Sequence, residues 1–209
     1  MISSIFILIY KLFVLNLENQ LFSLNGTVNS FVDLTSSLKS VQGNNPRSIS
    51  FMIQTTTTGA SYILNSGIQS VGRLGIKLYS APAKIQIVGS NVGSIYYFSS
   101  NSKAINDGLW HSVLLVYDGT TLSLYVDGIL YNAATKWDGG STFTSTLNTV
   151  GNSNNYLGQM SPGNWLLTGN LKNVLFYDYA ITNSYALANS YQSAGSILYS
   201  SGNSYYIFV

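Results

Sequence analysis

One stretch of the chain gathers the residue types that catalysis uses. From Asp107 it reads Asp107-Gly-Leu-Trp110-His111-Ser112, and it continues through Asp118-Gly119 to Asp127-Gly128. A carboxylate, an imidazole and a hydroxyl so close together are the parts of an acid–base or nucleophilic site. His111 is the only histidine in 209 residues, so any serine triad would have to be built on it. Glycoside hydrolysis would need two carboxylates flanking the scissile bond. The chain holds seven acidic residues, and its one glutamate, Glu18, lies far from the three aspartates. There is no cysteine, hence no thiolate nucleophile, disulfide or thiolate metal site.

The spacing of these groups favours architecture over chemistry. Asp-Gly between apolar runs is a strong hairpin signal, because both residues tolerate positive φ. Between the turns, Trp110, Ser112, Leu114 and Val116 fall on one face of a strand, and His111, Val113, Leu115 and Tyr117 fall on the other. A strand apolar on both faces belongs in mid-sheet. Leu122, Leu124 and Val126 continue one face on its partner. This register assigns Trp110 to the core and His111 to a packed or hydrogen-bonded place on a core strand. Gly43, Gly67, Gly72 and Gly75 match neither nucleotide fingerprint.

Composition agrees with a binding or structural protein. Hydrophobic residues make up 46% and aromatic residues 13%, while charged residues make up only 8%, against about a quarter in a typical domain. Nine basic residues scattered singly, with a net charge of +2, offer no cluster for phosphates, so no nucleic-acid partner is expected. Binding would fall to aromatic platforms and amides on loops, which suit the apolar faces and hydroxyls of sugars. The candidates are Trp137 with Asp138 in a long polar excursion, the loop Asn152, Asn154, Asn155 and Tyr156, and Trp165 after Pro162-Gly-Asn.

Around these groups the chain reads as many short strands punctuated by Gly, Ser and Asn, with no βαβ rhythm. Residues 1–17 are an apolar leader interrupted by Lys11, fit for an anchor, a signal or a docking strand, and residues 18–209 form one domain. A strand from Leu21, a turn at Asn25-Gly26 and a second strand through Phe31-Val32-Asp33-Leu34 open that domain. Asn25-Gly26-Thr27 is also an N-glycosylation sequon. Core strands follow at Ser48–Gln54 and around Tyr62–Leu64, Leu74–Tyr79 and Ile85–Val88. A late strand runs from Gly169 to Tyr179, and a short helix runs from Thr182 to about Gln192.

Asp107-Gly-x-Trp110-His111-x-Val, followed by Leu-Tyr-Val-Asp127-Gly128, resembles the laminin-G-like modules of the concanavalin A-like lectin and glucanase superfamily. So does Gly169…Val174-Leu175-Phe176-Tyr177-Asp178-Tyr179-Ala180-Ile181 with a helix after it, and Leu21–Leu34 is similar to the family's first hairpin. The resemblance covers about residues 20–192. It implies an all-β jelly-roll sandwich of two antiparallel sheets with one short C-terminal helix. It also implies binding of glycans or proteins at a rim or concave face. Family members often carry acidic residues where this chain has Asn25, Asn29 and Asn173, with Asp33 nearby. Asp33 and Asn173 are therefore the metal candidates, but only for a weak structural calcium, which prefers several carboxylate oxygens. No other cofactor is expected.

Two functions follow as expectations. The first is a non-catalytic, extracellular or surface recognition module that meets a glycan or surface protein with its rim loops. The second is an assembly protein of a virion or cell surface. Its charge-poor, tyrosine-rich faces and residues 1–17 would then make homo- or hetero-oligomer contacts.

Overall fold

Alternation along the chain sorts its residues onto two sheets and one interior. The computed structural model describes residues 15–35, 43–68, 71–79, 83–91, 94–99, 103–131, 149, 154–181, 197–201 and 204–208. Its strands are β1 (Leu15–Asn25), β2 (Val32–Asp33), β3 (Arg47–Gln54), β4 (Ser61–Ile68), β5 (Gly72–Tyr79), β6 (Lys84–Asn91) and β7 (Ser94–Ser99). They continue with β8 (Trp110–Tyr117), β9 (Leu122–Val126), β10 (Ile129–Tyr131), β11 (Tyr156–Leu157), β12 (Thr168–Tyr177), β13 (Ile197–Ser201) and β14 (Ser204–Phe208). The first sheet runs β1-β12-β3-β8-β9-β10 and the second β2-β11-β4-β5-β6-β7, while β13 and β14 form a separate pair. Every pairing is antiparallel.

The interior is built by residues two apart. Ile49, Phe51 and Ile53 of β3 meet Val113, Leu115 and Tyr117 of β8 and Leu122, Leu124 and Val126 of β9 in one apolar cluster. Leu74, Ile76 and Leu78 of β5 and Ile85 and Ile87 of β6 join it from the other sheet. Both sheets thus bury one face against the other, as a sandwich requires. A second, smaller cluster lies on the outer face of the first sheet, where Leu114, Val116, Tyr125, Leu175 and Tyr177 pack with Ile181. The Ser48 hydroxyl ties that segment down, donating to the Tyr179 carbonyl and accepting from the Ile181 N–H, both at 2.9 Å.

Three expectations change. Asn25-Gly26 does not close a hairpin, because β1 pairs with β12 in the first sheet and β2 pairs with β11 in the second. Leu24 and Leu34 both reach the interior, so the chain must arch across the end of the sandwich between them. The Asn25 N–H donates to Ser30 Oγ at 2.9 Å and the Gly26 N–H to the Leu167 carbonyl at 3.1 Å, fixing the arch. Trp110 is not in the core. It shares the parity of Leu114 and Val116, so it points outward, where its half-buried ring lies under Lys172 Nζ at 4.3 Å. Residues 15–17, read with the leader, pair with β12 from Leu15↔Phe176 to Leu17↔Val174. The expected helix at 182–192 and residues 1–14 lie outside the described residues.

The Asp-Gly turns fall where the spacing put them, with an added duty. Asp118 Oδ1 accepts the Thr120 and Thr121 N–H groups in the β8–β9 loop. Asp127 and Gly128, at φ 49° and 74°, form the two-residue β9–β10 turn. Asp107-Gly108 is the lead-in to β8 rather than a hairpin, since β7 belongs to the other sheet. His111, 3% exposed, is held between Asp127 Oδ2 at its Nδ1 (2.9 Å) and Asp107 Oδ1 at its Nε2 (2.8 Å). Asp127 also accepts the Ser112 N–H at 2.9 Å and Lys103 Nζ at 2.6 Å.

Burial pushes the Asp127 carboxyl up, but hydrogen bonds from Lys103, His111 and the Ser112 N–H outweigh it and leave the group below the usual carboxylate range. A depressed pKa contributes stability that is present above the unfolded-state value and lost as pH falls through the folded one. Thermal stability should therefore decline on acidification below about pH 4, the ordinary aspartate range. Asp127→Ala should cost about 1–3 kcal/mol at pH 7 by stranding its donors, and should flatten that acid limb. Chemical denaturation at several pH values checks both. In the interior, Leu115→Ala should cost about 2–5 kcal/mol by the same measurement at pH 7.

Candidate functional site

With Leu74, Ile76 and Leu78 turned inward, the pleat sends Arg73, Gly75, Lys77 and Tyr79 to the outer face of the second sheet. Register then sets their neighbours. Arg73 stands opposite Gly67 of β4 and Ser90 of β6, Gly75 opposite Asn65 and Val88, and Lys77 opposite Tyr62 and Gln86. Five of these residues are polar or charged, and Arg73, Lys77, Asn65, Gln86 and Ser90 are all buried. An outward sheet face that hides two cations is unusual, because charged side chains are rarely buried.

Tyr62 organises the face. Its ring lies over Gly75, whose missing Cβ would stand 2.7 Å from Tyr62 Cε1. The ring therefore sits on bare backbone with Arg73 Cζ 5.6 Å and Lys77 Nζ 6.0 Å from its centroid. Tyrosine's negative ring face favours both cations. Lys77 also lies 5.4 Å from the Trp165 ring and 5.8 Å from the Tyr79 ring. Burial, with the Arg73 charge beside it, holds the Lys77 amine below its ordinary pKa.

Trp165 completes the cluster. Its ring meets Tyr62 edge to face, with centroids 6.3 Å apart, and its carbonyl accepts the Tyr62 N–H at 2.9 Å. The ring is 47% exposed, and the residue is held at φ 56°. A bulky residue in the left-handed region is strained. Tight hydrogen bonds in the preceding turn, Asn164 N–H to the Ser161 carbonyl and Met160 N–H to the Asn164 carbonyl, hold it there.

The other sequence candidates take different places. Tyr156 pairs with Asn65 and Asp33 at the rim of this face, half-buried and edge-on to Phe31 at 5.5 Å. Asn154 adopts φ 58°, and its carbonyl accepts Asn65 Nδ2 at 2.7 Å. Asn155 is fully buried, and its carbonyl accepts the Leu34 N–H, so it serves the loop's fold from the interior. Trp137, Asp138 and Asn152 lie outside the described residues. Arg73, Lys77, Tyr62 and Asn65 were not singled out by sequence. The alternation Arg-x-Gly-x-Lys-x-Tyr of 73–79 was the available signal.

The calcium candidates do not form a ligand set. Asp33 lies in β2 of the second sheet, with Oδ1 already accepting the Thr35 N–H at 2.8 Å. Asn173 lies in β12 of the first sheet, at φ 53° where the register shifts. Among the described residues no three His, Cys, Asp or Glu converge. These residues therefore do not fit a hard cation that wants about 6–8 oxygens. Asp107 and Asp127, for their part, are committed to His111.

Gly75→Ala should displace the Tyr62 ring and cost about 1–3 kcal/mol through overpacking. A urea melt would read the loss. A variant as stable as the parent would contradict the close approach.

A family model described as the concanavalin A-like lectin/glucanases superfamily matches residues 25–185. No curated protein matches the chain in sequence. Among solved structures, the fold is similar to a leech intramolecular trans-sialidase complexed with 2,7-anhydro-Neu5Ac, with TM-score 0.64 and 13% identity over 85% of this chain. It is also similar to the Ruminococcus gnavus IT-sialidase CBM40 bound to α2,6-sialyllactose, with TM-score 0.60 and 14% identity, covering 85% of this chain and 99% of that one. NanB sialidase from Streptococcus pneumoniae follows with TM-score 0.62 and 14% identity over 84% of this chain. The chain spans 28% of the length of the leech enzyme and of NanB. At these identities the structural likeness is one of fold. The family match covers most of the chain, and with the two-sheet architecture it establishes that the chain belongs to the concanavalin A-like lectin/glucanases superfamily.

Proposed function

We propose that the chain is a non-catalytic glycan-recognition module working at an extracellular or other exposed surface, with the outer face of the second sheet as its binding surface. The observation that carries this reading is Trp165. A half-exposed indole is held in strained backbone beside Tyr62 and Lys77. Backbone strain of this kind tends to gather at ligand sites. Trp165 and the 45% exposed Tyr79 flank Lys77 and offer two ring faces to sugar C–H groups, with polar side chains beside them for hydroxyls. Tyr156 borders the same face, and Trp137, Asp138 and Asn152 extend the set of candidate contacts. Family membership supports the reading, as does the R. gnavus module that spans nearly its whole length and is described with a bound sialyllactose.

A second reading, an assembly protein of a virion or cell surface, has one observation in its favour. Leu109, Ile129 and Leu130 are exposed at 64%, 57% and 41%, the last two on the edge strand β10. Apolar groups on an unpaired edge invite a neighbouring chain.

A glycan array with the full chain and Trp165→Ala separates the two. The module reading expects a defined glycan signal that weakens about tenfold on that substitution, the equivalent of about 1.4 kcal/mol, with thermal stability retained. Binding to no glycan, together with large ordered oligomers in sedimentation, favours assembly.

A further inference from the structure

The outer face of the second sheet holds a guanidinium that has left water without gaining an acceptor. Arg73 is 3% exposed, and its Nε and Nη1 are buried with no hydrogen-bond partner. It makes no ion pair with any described carboxylate. Its cross-strand neighbour Ser90 is 2% exposed with an unpartnered Oγ. Diagonally across β4, Asn65 is 1% exposed. Asn65 Nδ2 donates to the Gly67 and Asn154 carbonyls, and Oδ1 is left buried and unpartnered. Natural proteins seldom bury such groups unpaired, since each costs about 1–3 kcal/mol and a charge costs more. Here three lie on adjacent strands of one face.

Their chemistry is complementary to one kind of ligand. Nε and Nη1 form the edge of the guanidinium fork that meets the two oxygens of a planar carboxylate in parallel hydrogen bonds. The Ser90 hydroxyl adds a donor or acceptor, and Asn65 Oδ1 accepts a hydroxyl proton. Tyr62 links this group to the aromatic platform, with Arg73 Cζ 5.6 Å from its ring centroid and the Trp165 ring 6.3 Å from it on the sheet face. A small oligosaccharide is long enough to touch both.

From this geometry we infer that the module selects acidic glycans, and that Arg73 is the specificity-determining residue that pairs with a sugar carboxylate. The inference rests on the glycan reading above and names its ligand class. Arg73 is then the reason this face tolerates a buried cation: the ligand's carboxylate supplies the acceptor that the chain does not.

Calorimetric titration of the full chain with lactose, 3′-sialyllactose, a glucuronate-terminated oligosaccharide and 6-sulfated lactose tests it. The expected result is at least tenfold tighter binding of a carboxylated ligand than of lactose, with the preference shrinking as salt rises. Arg73→Met should collapse that preference towards unity while keeping or raising the melting temperature of the unliganded protein, because an unpaired buried charge is removed. Arg73→Lys retains the charge but not the fork, and should also lose most of the preference, which decides the matter if the Met variant does not fold. Equal binding of neutral and carboxylated ligands overturns the inference and leaves the glycan reading standing, as does a preference for sulfate alone or one that survives in both variants. Binding of none of the four probes overturns the acidic-ligand inference, and a negative glycan array is the separate result that removes the glycan reading.

Discussion

The pleat of β5, set against a single apolar interior, is the constraint on which the rest of this molecule depends. Leu74, Ile76 and Leu78 can leave water only by facing the first sheet. Once they do, Arg73, Gly75 and Lys77 have no choice of side. A slip of one residue would bury two cations among leucines and expose three apolar side chains. Burying a Leu or Ile side chain is worth about 1.5–3 kcal/mol, and burying a charge in an apolar core costs far more. The register of the second sheet is therefore fixed by the same alternation that lays out the candidate site. Fold and function share one pattern here.

Gly75 then decides what the outer face can be. Any side chain there would hold the Tyr62 ring off the strand, since even a Cβ would sit at 2.7 Å. With glycine, the ring lies flat between Arg73 and Lys77 and bridges them to Trp165. Ring and cation attract, which offsets part of the repulsion between two positive charges on one strand. It does not replace a hydrogen-bond acceptor. That difference separates Lys77, which lies among three aromatic rings, from Arg73, whose two nitrogens remain unanswered.

Much of the fold was legible because alternation is a local property. The two faces of β8, the four-residue Asp118 loop and the Asp127-Gly128 turn follow from residues within reach of one another. Two errors mark where locality ends. Trp110 was given the right partners in parity, but a strand apolar on both sides does not say which parity faces the interior, and the outer cluster with Ile181 supplied the second apolar side. Asn25-Gly26 carries correct turn chemistry, yet a turn and an arch use the same positive φ. The difference lies in whether Leu24 and Leu34 belong to one sheet or two. The site was less legible still. Arg73 and Lys77 are visible in 73–79, but Tyr62, Asn65 and Ser90 reach them only through cross-strand register, and the strain at Trp165 is a backbone fact with no residue signature.

The catalytic-looking stretch and the recognition face lie on opposite sheets, and this separation has a physical logic. Asp107, His111, Asp127 and Lys103 satisfy one another within the first sheet, so each charge there is paired and the cluster stiffens the strand that anchors the interior. A fully paired network has little left to offer a ligand. The second sheet carries the reverse pattern: unpartnered donors and acceptors at Arg73, Ser90 and Asn65, and a tryptophan in unfavourable backbone. Groups that destabilise the unliganded protein persist in a fold when binding restores what they lack. The asymmetry between the two faces, one electrostatically closed and one open, therefore argues for the location of the site more strongly than any single residue in either.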